Sequence, residues 1–252
     1  SPTGSGCFAS TSNGLASGNH LLEAILHGIC EVIERDSTTL WEASGSATQQ
    51  QTRIDINTID DLNCRQVIEK CHQAGVEVAV WETTSDIGVP SFISQICDRT
   101  DATFNPLPAF TGMGCHSTRE IALLRSLTEA VQCRLTLIAG SRDDMFRNQY
   151  KNDLHRERIT AYQFKTSNIN KTPQRYFQQV PTYHGETFDD DIIWVLERLK
   201  AVGIERVITV NLTKSEFNLS VVRVVIPGLE GPDEDPEYVP GVRVRSLERV
   251  HT

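Results

Sequence analysis

The chain has 252 residues, 39% hydrophobic and 23% charged, with a net charge of −9 at pH 7. That length can bury a full core, as one large domain or two small ones, and the acidic balance argues against a general nucleic-acid binder, since phosphate backbones reward basic faces. No apolar run approaches the roughly 20 residues that a membrane-spanning helix needs, and no secretory signal opens the chain.

Seven cysteines occur, with no C-x-x-C pair among them. This argues against a zinc ribbon or a redox motif and fits a reducing cytoplasm. Cys30 and Cys133 fall within helical patterns and read as small buried side chains.

Residues 1–11 are rich in Gly and Ser and read as a turn or short strand. Residues 12–19, with two glycines and two asparagines, can turn tightly and aim backbone N–H groups at an anion near a helix start. An ordinary loop with Asn19 as N-cap is the alternative. Residues 20–43 form a long helix. At roughly 100° per residue, Glu23, His27, Glu31 and Glu34 share one face within about 80° of arc. Leu22, Ile25, Leu26, Ile29, Val32 and Ile33 lie on the other side and can meet a core.

Three carboxylates on one stripe repel one another. One reading is a solvated acidic face, screened by water and salt. The other is a hard-cation site. Mg²⁺ prefers carboxylate oxygens and usually brings phosphate with it, and Arg35 could meet that phosphate as a fork of donors. His20 and His27 are more simply structural. His27 shares the stripe and is kept only as a neighbour of a ligand.

Residues 45–58 read as a polar loop leading to a short strand. Residues 60–74 show helical spacing and end at Gly75. VEVAVWETT alternates Val76, Val78 and Val80 as a strand should, and VPSFISQICD reads as another. Helix followed by strand is the grammar of an α/β domain. Residues 103–114 read as a loop, whose GMGCH end could hold phosphate before a helix, on a weak signal. That second long helix runs over about 118–140, with Ile121, Leu124, Leu127, Val131 and Leu135 as its apolar side. Arg125, Glu129 and Gln132 share another face. A surface ion pair is one reading of them, and part of a ligand site is the other. Arg134 lies off that stripe.

From Ser141 the chain is highly charged and reads as a solvated, partly helical connection. Asp143 and Asp144 are left out of the site. Residues 165–190 read as a long excursion. Residues 191–202 are an amphipathic helix, 204–212 and 219–226 are strands, and the end is an extended, acidic, turn-rich tail.

Two blocks carry a family resemblance. SNGLASGN, EAILHG and EVIERD in the first, and CHSTREIALLRSLTEAVQCRLTLIAGSRDD in the second, resemble the YcaO family of ATP-dependent enzymes. The likeness covers most of residues 7–144. The tail, with VVRVVIPGLEGP, is similar to the C-terminal part of some members.

The resemblance implies a YcaO-like α/β fold (α+β layers), with mixed sheets packed against long helices. It implies a core segment over 1–150 that holds the nucleotide helices, and a C-terminal α/β segment over 151–252. It implies ATP and Mg²⁺ as cofactors, with Asn19, Glu23, Arg35, Arg125 and Gln132 contacting nucleotide and Glu23, Glu31, Glu34 and Glu129 as metal ligands. No catalytic base is assigned. The activity implied is phosphorylation of a peptide backbone amide oxygen, after which a Cys, Ser or Thr side chain gives an azoline or a sulfur donor gives a thioamide.

Many azoline-forming members end in a proline-rich C-terminus, whereas this chain ends in RVRSLERVHT. The GLEGP tail and the SRDD segment are more similar to members that work beside a TfuA-type partner in thioamide formation. The expected substrate is a peptide or protein, in the cytoplasm, and a homodimer is an assembly the sequence allows. Family members carry a substantial region before the first block, which supplies a further glutamate pair. No counterpart is visible here, so the sequence reads as the C-terminal portion of a YcaO protein. A non-catalytic nucleotide- or peptide-binding scaffold is the contrasting expectation.

Overall fold

The computed structural model describes residues 11–99, 107–140, 175–231 and 238–250. The chain divides into two compact units that interleave in sequence. One takes residues 1–44, 85–89 and 183–252; the other takes 45–84 and 90–182. The boundary expected at 150 falls outside the described residues, as do Asp143, Asp144 and residues 165–174 of the 165–190 excursion.

The first unit contains strand β1 (Leu15–Gly18), helix α1 (Leu21–Ala43) and, far along the chain, the elements that pack on them. Residues 12–19 are thus not all turn, because four of them pair with a distant strand. The second unit contains helices α2 (Ser46–Gln51) and α3 (Leu62–Gln73), strands β2 (Val76–Glu82), β3 (Ser91–Asp98) and β4 (Phe110–Cys115), and helix α4 (Arg119–Ala139). The first unit then resumes with α5 (Phe188–Ala201), β5 (Ile208–Asn211), β6 (Ser220–Val225) and α6 (Val242–Val250). Among the described residues no helix is long and apolar enough to cross a membrane.

Each unit is a small three-stranded sheet with helices against it. In the first, the order is β1-β6-β5, with Ala16 opposite Val222 and Thr209 opposite Val224. Ala16, Val222 and Val224 are buried on the face that meets α1, whose Ile29 and Ile33 are also buried. Gly28 permits this approach, since a Cβ there would stand 2.7 Å from Val224 Cγ2.

In the second, β2-β3-β4 is a meander, with Val80 opposite Ser94 and Ile93 opposite Met113. Its core gathers Ile68, Val78, Phe92, Ile96, Leu123 and Leu127. Phe177, on a short 3₁₀ turn, closes it against Phe92 at 6.1 Å between ring centres.

Several expectations are corrected. The ladders between named strands are all antiparallel, so the sheets are not mixed. Residues 45–58 form α2 and a 3₁₀ turn, and Ile54 bridges to Arg175 across more than a hundred residues, a pairing with no local signal. The end of the 103–114 segment is strand β4, not a phosphate loop. The tail carries helix α6, whose first N–H groups are accepted by the Glu230 carboxylate.

The buried face of α4 is Ala122, Leu123, Ser126, Leu127 and Ala130, whereas Ile121, Val131 and Leu135 are exposed. Cys133 is exposed for the same reason, while Cys30 is buried as expected. The cause lies in β4. A Cβ on Gly112 would stand 2.2 Å from the Ser126 carbonyl oxygen, and one on Gly114 would stand 2.1 Å from that of Ala122. The two backbones approach so closely that only Ala and Ser fit between them, and the helix rolls away from its larger apolar side chains.

Candidate functional site

The candidate residues fall on two helices in two units. Asn19, Glu23, Glu31, Glu34 and Arg35 belong to the first unit, at or on α1. Arg125, Glu129 and Gln132 belong to the second, on α4.

The start of α1 is closed by its own side chains. His20, not Asn19, is the N-cap, and its Nδ1 accepts the Leu22 N–H at 3.3 Å. Glu23 completes a capping box: its Oε2 accepts the N–H groups of Asn19 at 2.8 Å and His20 at 3.3 Å. A carboxylate there also favours the positive end of the helix dipole. Glu23 therefore has a structural task that a ligand role must share. His27 Nδ1 stands 3.5 Å from the Ser17 carbonyl oxygen on β1.

Farther along, Glu31 is half-buried and Glu34 is 4% exposed. Arg35 lies 3.8 Å from Glu34 through its terminal nitrogen and keeps a quarter of its side chain in solvent. A carboxylate withdrawn from water is costly unless charge or hydrogen bonds compensate. This stretch is thus not the solvated acidic face that helix spacing alone allows.

On α4, the half-buried Glu129 accepts the Met113 N–H of β4 at 3.0 Å through Oε2. Arg125 is half-buried beside Gly114, and Gln132 is exposed. Arg134 instead binds the buried Asp98 at 2.9 Å, and Asp98 also accepts the Leu107 N–H at 3.0 Å. That supports a structural role for Arg134.

Among the described residues no group of three or more His, Cys, Asp or Glu side chains converges to hold a metal ion. This donor set still fits Mg²⁺ with phosphate. Mg²⁺ typically takes one or two protein carboxylates and fills its octahedron with phosphate oxygens and waters, not with an all-protein cage. Glu31 and Glu34 would supply the carboxylates and Arg35 a phosphate contact.

A second charged cluster lies in the first unit, and spacing did not single it out. Asp36, fully buried on α1, accepts Nε–H of Arg243 at 2.9 Å and the Glu230 N–H at 2.8 Å. One signal was available. Asp36 follows Ile29 by seven positions, which places an ionisable group on the apolar side of the helix. In the second unit, buried Glu82 binds Arg175, and buried Arg53 lies over the Trp81 ring at 5.3 Å. Burial pushes the Glu82 carboxyl up, with Arg175 pulling it back in part, and burial pushes Arg53 down.

Comparison with known proteins gives this geometry a context. A family model described as "YcaO cyclodehydratase", ATP- and Mg²⁺-binding, matches residues 1–230. A protein described as lying in the tfuA 3′ region of Rhizobium leguminosarum bv. trifolii is 36% identical over 229 residues, covering 88% of this chain and 53% of that protein. A protein of Methanothermobacter thermautotrophicus is 36% identical over 242 residues, covering 95% of this chain and 60% of that protein. The chain thus spans little more than half the length of these relatives.

Among solved structures, a heterocyclase in complex with substrate and cofactor superposes with a TM-score of 0.71 at 23% identity, over 89% of this chain and 29% of that one. The YcaO protein of Methanopyrus kandleri, bound with AMPPCP and Mg²⁺, superposes with a TM-score of 0.66 at 19% identity, over 93% of this chain and 61% of that one. These likenesses establish the fold, and the family-model match establishes more: this chain belongs to the YcaO family, an ATP- and Mg²⁺-binding family.

Proposed function

We propose that this chain supplies the Mg·ATP-binding helices of an enzyme that activates a peptide backbone amide for thioamide formation. The observation that carries the nucleotide part is the α1 stripe, where buried Glu34 stands 3.8 Å from Arg35 and half-buried Glu31 lies about one turn before it. When bound, Mg·ATP supplies the phosphoryl group that converts the amide oxygen into a leaving group.

The chain's own residues work by position and charge. Glu31 and Glu34 would hold the metal, with Glu23 contributing as far as its capping task allows. Arg35 and Arg125 would supply phosphate contacts, Glu129 would add a carboxylate, and Asn19 and Gln132 would contact the nucleotide. Loss of phosphate carries away the former amide oxygen after a sulfur nucleophile has added to the carbon.

The thioamide outcome is supported by the relative from the tfuA region, which also motivates a TfuA-type partner. Azoline formation is the second reading, favoured by the cyclodehydratase description of the family and by a solved heterocyclase of the same fold. A cytoplasmic location is the reading that the cysteine pattern favours, with seven cysteines and no C-x-x-C pair.

The test has two stages. Calorimetric titration of Mg·ATP into the chain is compared with Glu31→Ala and Glu34→Ala, in which Mg²⁺-dependent binding is expected to vanish. Binding that survives both substitutions, or absence of binding to the folded wild type, refutes the site. With peptide substrate, product mass then separates the outcomes: a thioamide exchanges one oxygen for sulfur, and an azoline loses one water.

A further inference from the structure

The nucleotide stripe sits on a helix that is tied from behind by charge. Asp36 Oδ1 accepts from Glu230 N–H and Arg243 Nε–H. Arg243 extends its guanidinium to Asp86. The Glu230 carboxylate closes the start of α6, accepting the N–H groups of Gly241, Arg243 and Val244 at 2.8, 3.0 and 3.1 Å and the Tyr238 hydroxyl at 2.9 Å. One turn along α1, Thr39 Oγ1 donates to the Gly231 carbonyl at 2.8 Å. Three stretches of chain, around 36, 86 and 230–244, therefore meet at one node within the first unit.

Such a node is a poor source of net stability, because burying an ion pair costs nearly what its attraction returns. Its directional bonds do fix one arrangement. Asp36 stands about 140° around the helix from Glu31 and about 160° from Glu34 at the α-helical angle per residue. It therefore holds α1 from the side away from the stripe. A roll of about 20° on a helix about 5–6 Å in radius moves a surface carboxylate by about 2 Å. Octahedral Mg²⁺ coordination does not tolerate that displacement.

We infer that Asp36 and Arg243 are positioning residues for the nucleotide face of α1, their bond fixing the roll of the helix and so the aim of Glu31, Glu34 and Arg35. The inference rests on the Mg·ATP reading of that stripe. Arg243 acts here as a fork. Two acidic side chains from different segments are joined through one guanidinium, a task that the point charge of lysine cannot reproduce.

The test uses the 252-residue chain with Asp36→Asn, Arg243→Met, Arg243→Lys and the double substitution Asp36→Asn/Arg243→Met. Mg·ATP binding and its dependence on Mg²⁺ concentration are measured by calorimetry, with folding monitored by circular dichroism. Arg243→Met is expected to weaken Mg·ATP binding by about 10–100-fold, the range seen when groups that orient metal ligands are removed, and to shift the Mg²⁺ midpoint upward. Arg243→Lys should recover part of this. A structural role alone would lower the melting temperature without moving the Mg²⁺ midpoint of the folded fraction.

If Arg243→Met does not fold, the double variant, which removes both charges of the pair, carries the test. Folded variants that bind Mg·ATP like the wild type overturn the inference and leave the nucleotide reading intact. A folded wild type that binds no Mg·ATP overturns the nucleotide reading and the positioning role with it, a result distinguishable from the first.

Discussion

Gly112 on β4 and Ser126 on α4 are in such close contact that a Cβ on the glycine would lie 2.2 Å from the serine carbonyl oxygen. The same contact carries the Met113 N–H to Glu129 and the Ser94–Ser126 hydroxyl bond at 2.7 Å. Gly112→Ala must push strand and helix apart. Overpacking of this kind costs about 1–3 kcal/mol, so the urea midpoint should fall accordingly. Nucleotide affinity should fall with it, because Glu129 is re-aimed. An unchanged midpoint would contradict this packing.

Glu23 has two tasks that substitution can separate. Glu23→Ala removes the capping carboxylate and should cost about 0.5–2 kcal/mol of stability. Glu23→Gln retains an acceptor suited to a capping box and should melt close to the wild type. If Glu23 also binds metal, Glu23→Gln loses Mg²⁺-dependent ATP binding while remaining stable. A Glu23→Gln chain that binds Mg·ATP normally restricts the residue to the cap.

Arg125 and Arg134 lie nine positions apart on α4 and should respond oppositely. Arg134→Ala breaks the pair with Asp98, a carboxylate only 4% exposed. Leaving that charge buried without its partner should destabilise the chain by about 3–5 kcal/mol and spare nucleotide affinity in the folded fraction. Arg125→Ala should weaken Mg·ATP binding with a smaller effect on stability. Equal effects of the two on binding would remove Arg125 from the site.

Glu230 gives a pH dependence of known sign. Burial by itself would raise its carboxyl, but the N–H groups of Val244, Gly241 and Arg243 and the Tyr238 hydroxyl together hold it below its ordinary value of 4.5. A lowered folded value means that the carboxylate stabilises the fold above that pH. The contribution is lost as pH falls through the folded value. The stability advantage of wild type over Glu230→Gln should therefore be complete at neutral pH and shrink below about pH 4.5. Asp36, raised by burial with Arg243 pulling it back, titrates with the opposite sign, so comparison with the variant isolates Glu230. An advantage that grows on acidification would contradict the assignment.

What was legible in the sequence was local. The period of α1 and its stripe of Glu23, Glu31 and Glu34 follow from a 3.6-residue repeat. The spans of α3 and β2 follow from spacing and from Gly75. The family resemblance rested on contiguous blocks of residues. The roll of α4 was not legible, because the glycines that select its small-residue face lie on a neighbouring strand that read as a loop. The antiparallel order of the sheets was not legible either, since β1 pairs with a strand some two hundred residues away.

The sequence by itself determined which charged residues share a helix face, because the helical period sets that spacing. Only the tertiary structure decided that Glu34 is buried and that Asp36 is held by Arg243. Those facts depend on desolvation and on partners brought together by folding, and no local pattern encodes either.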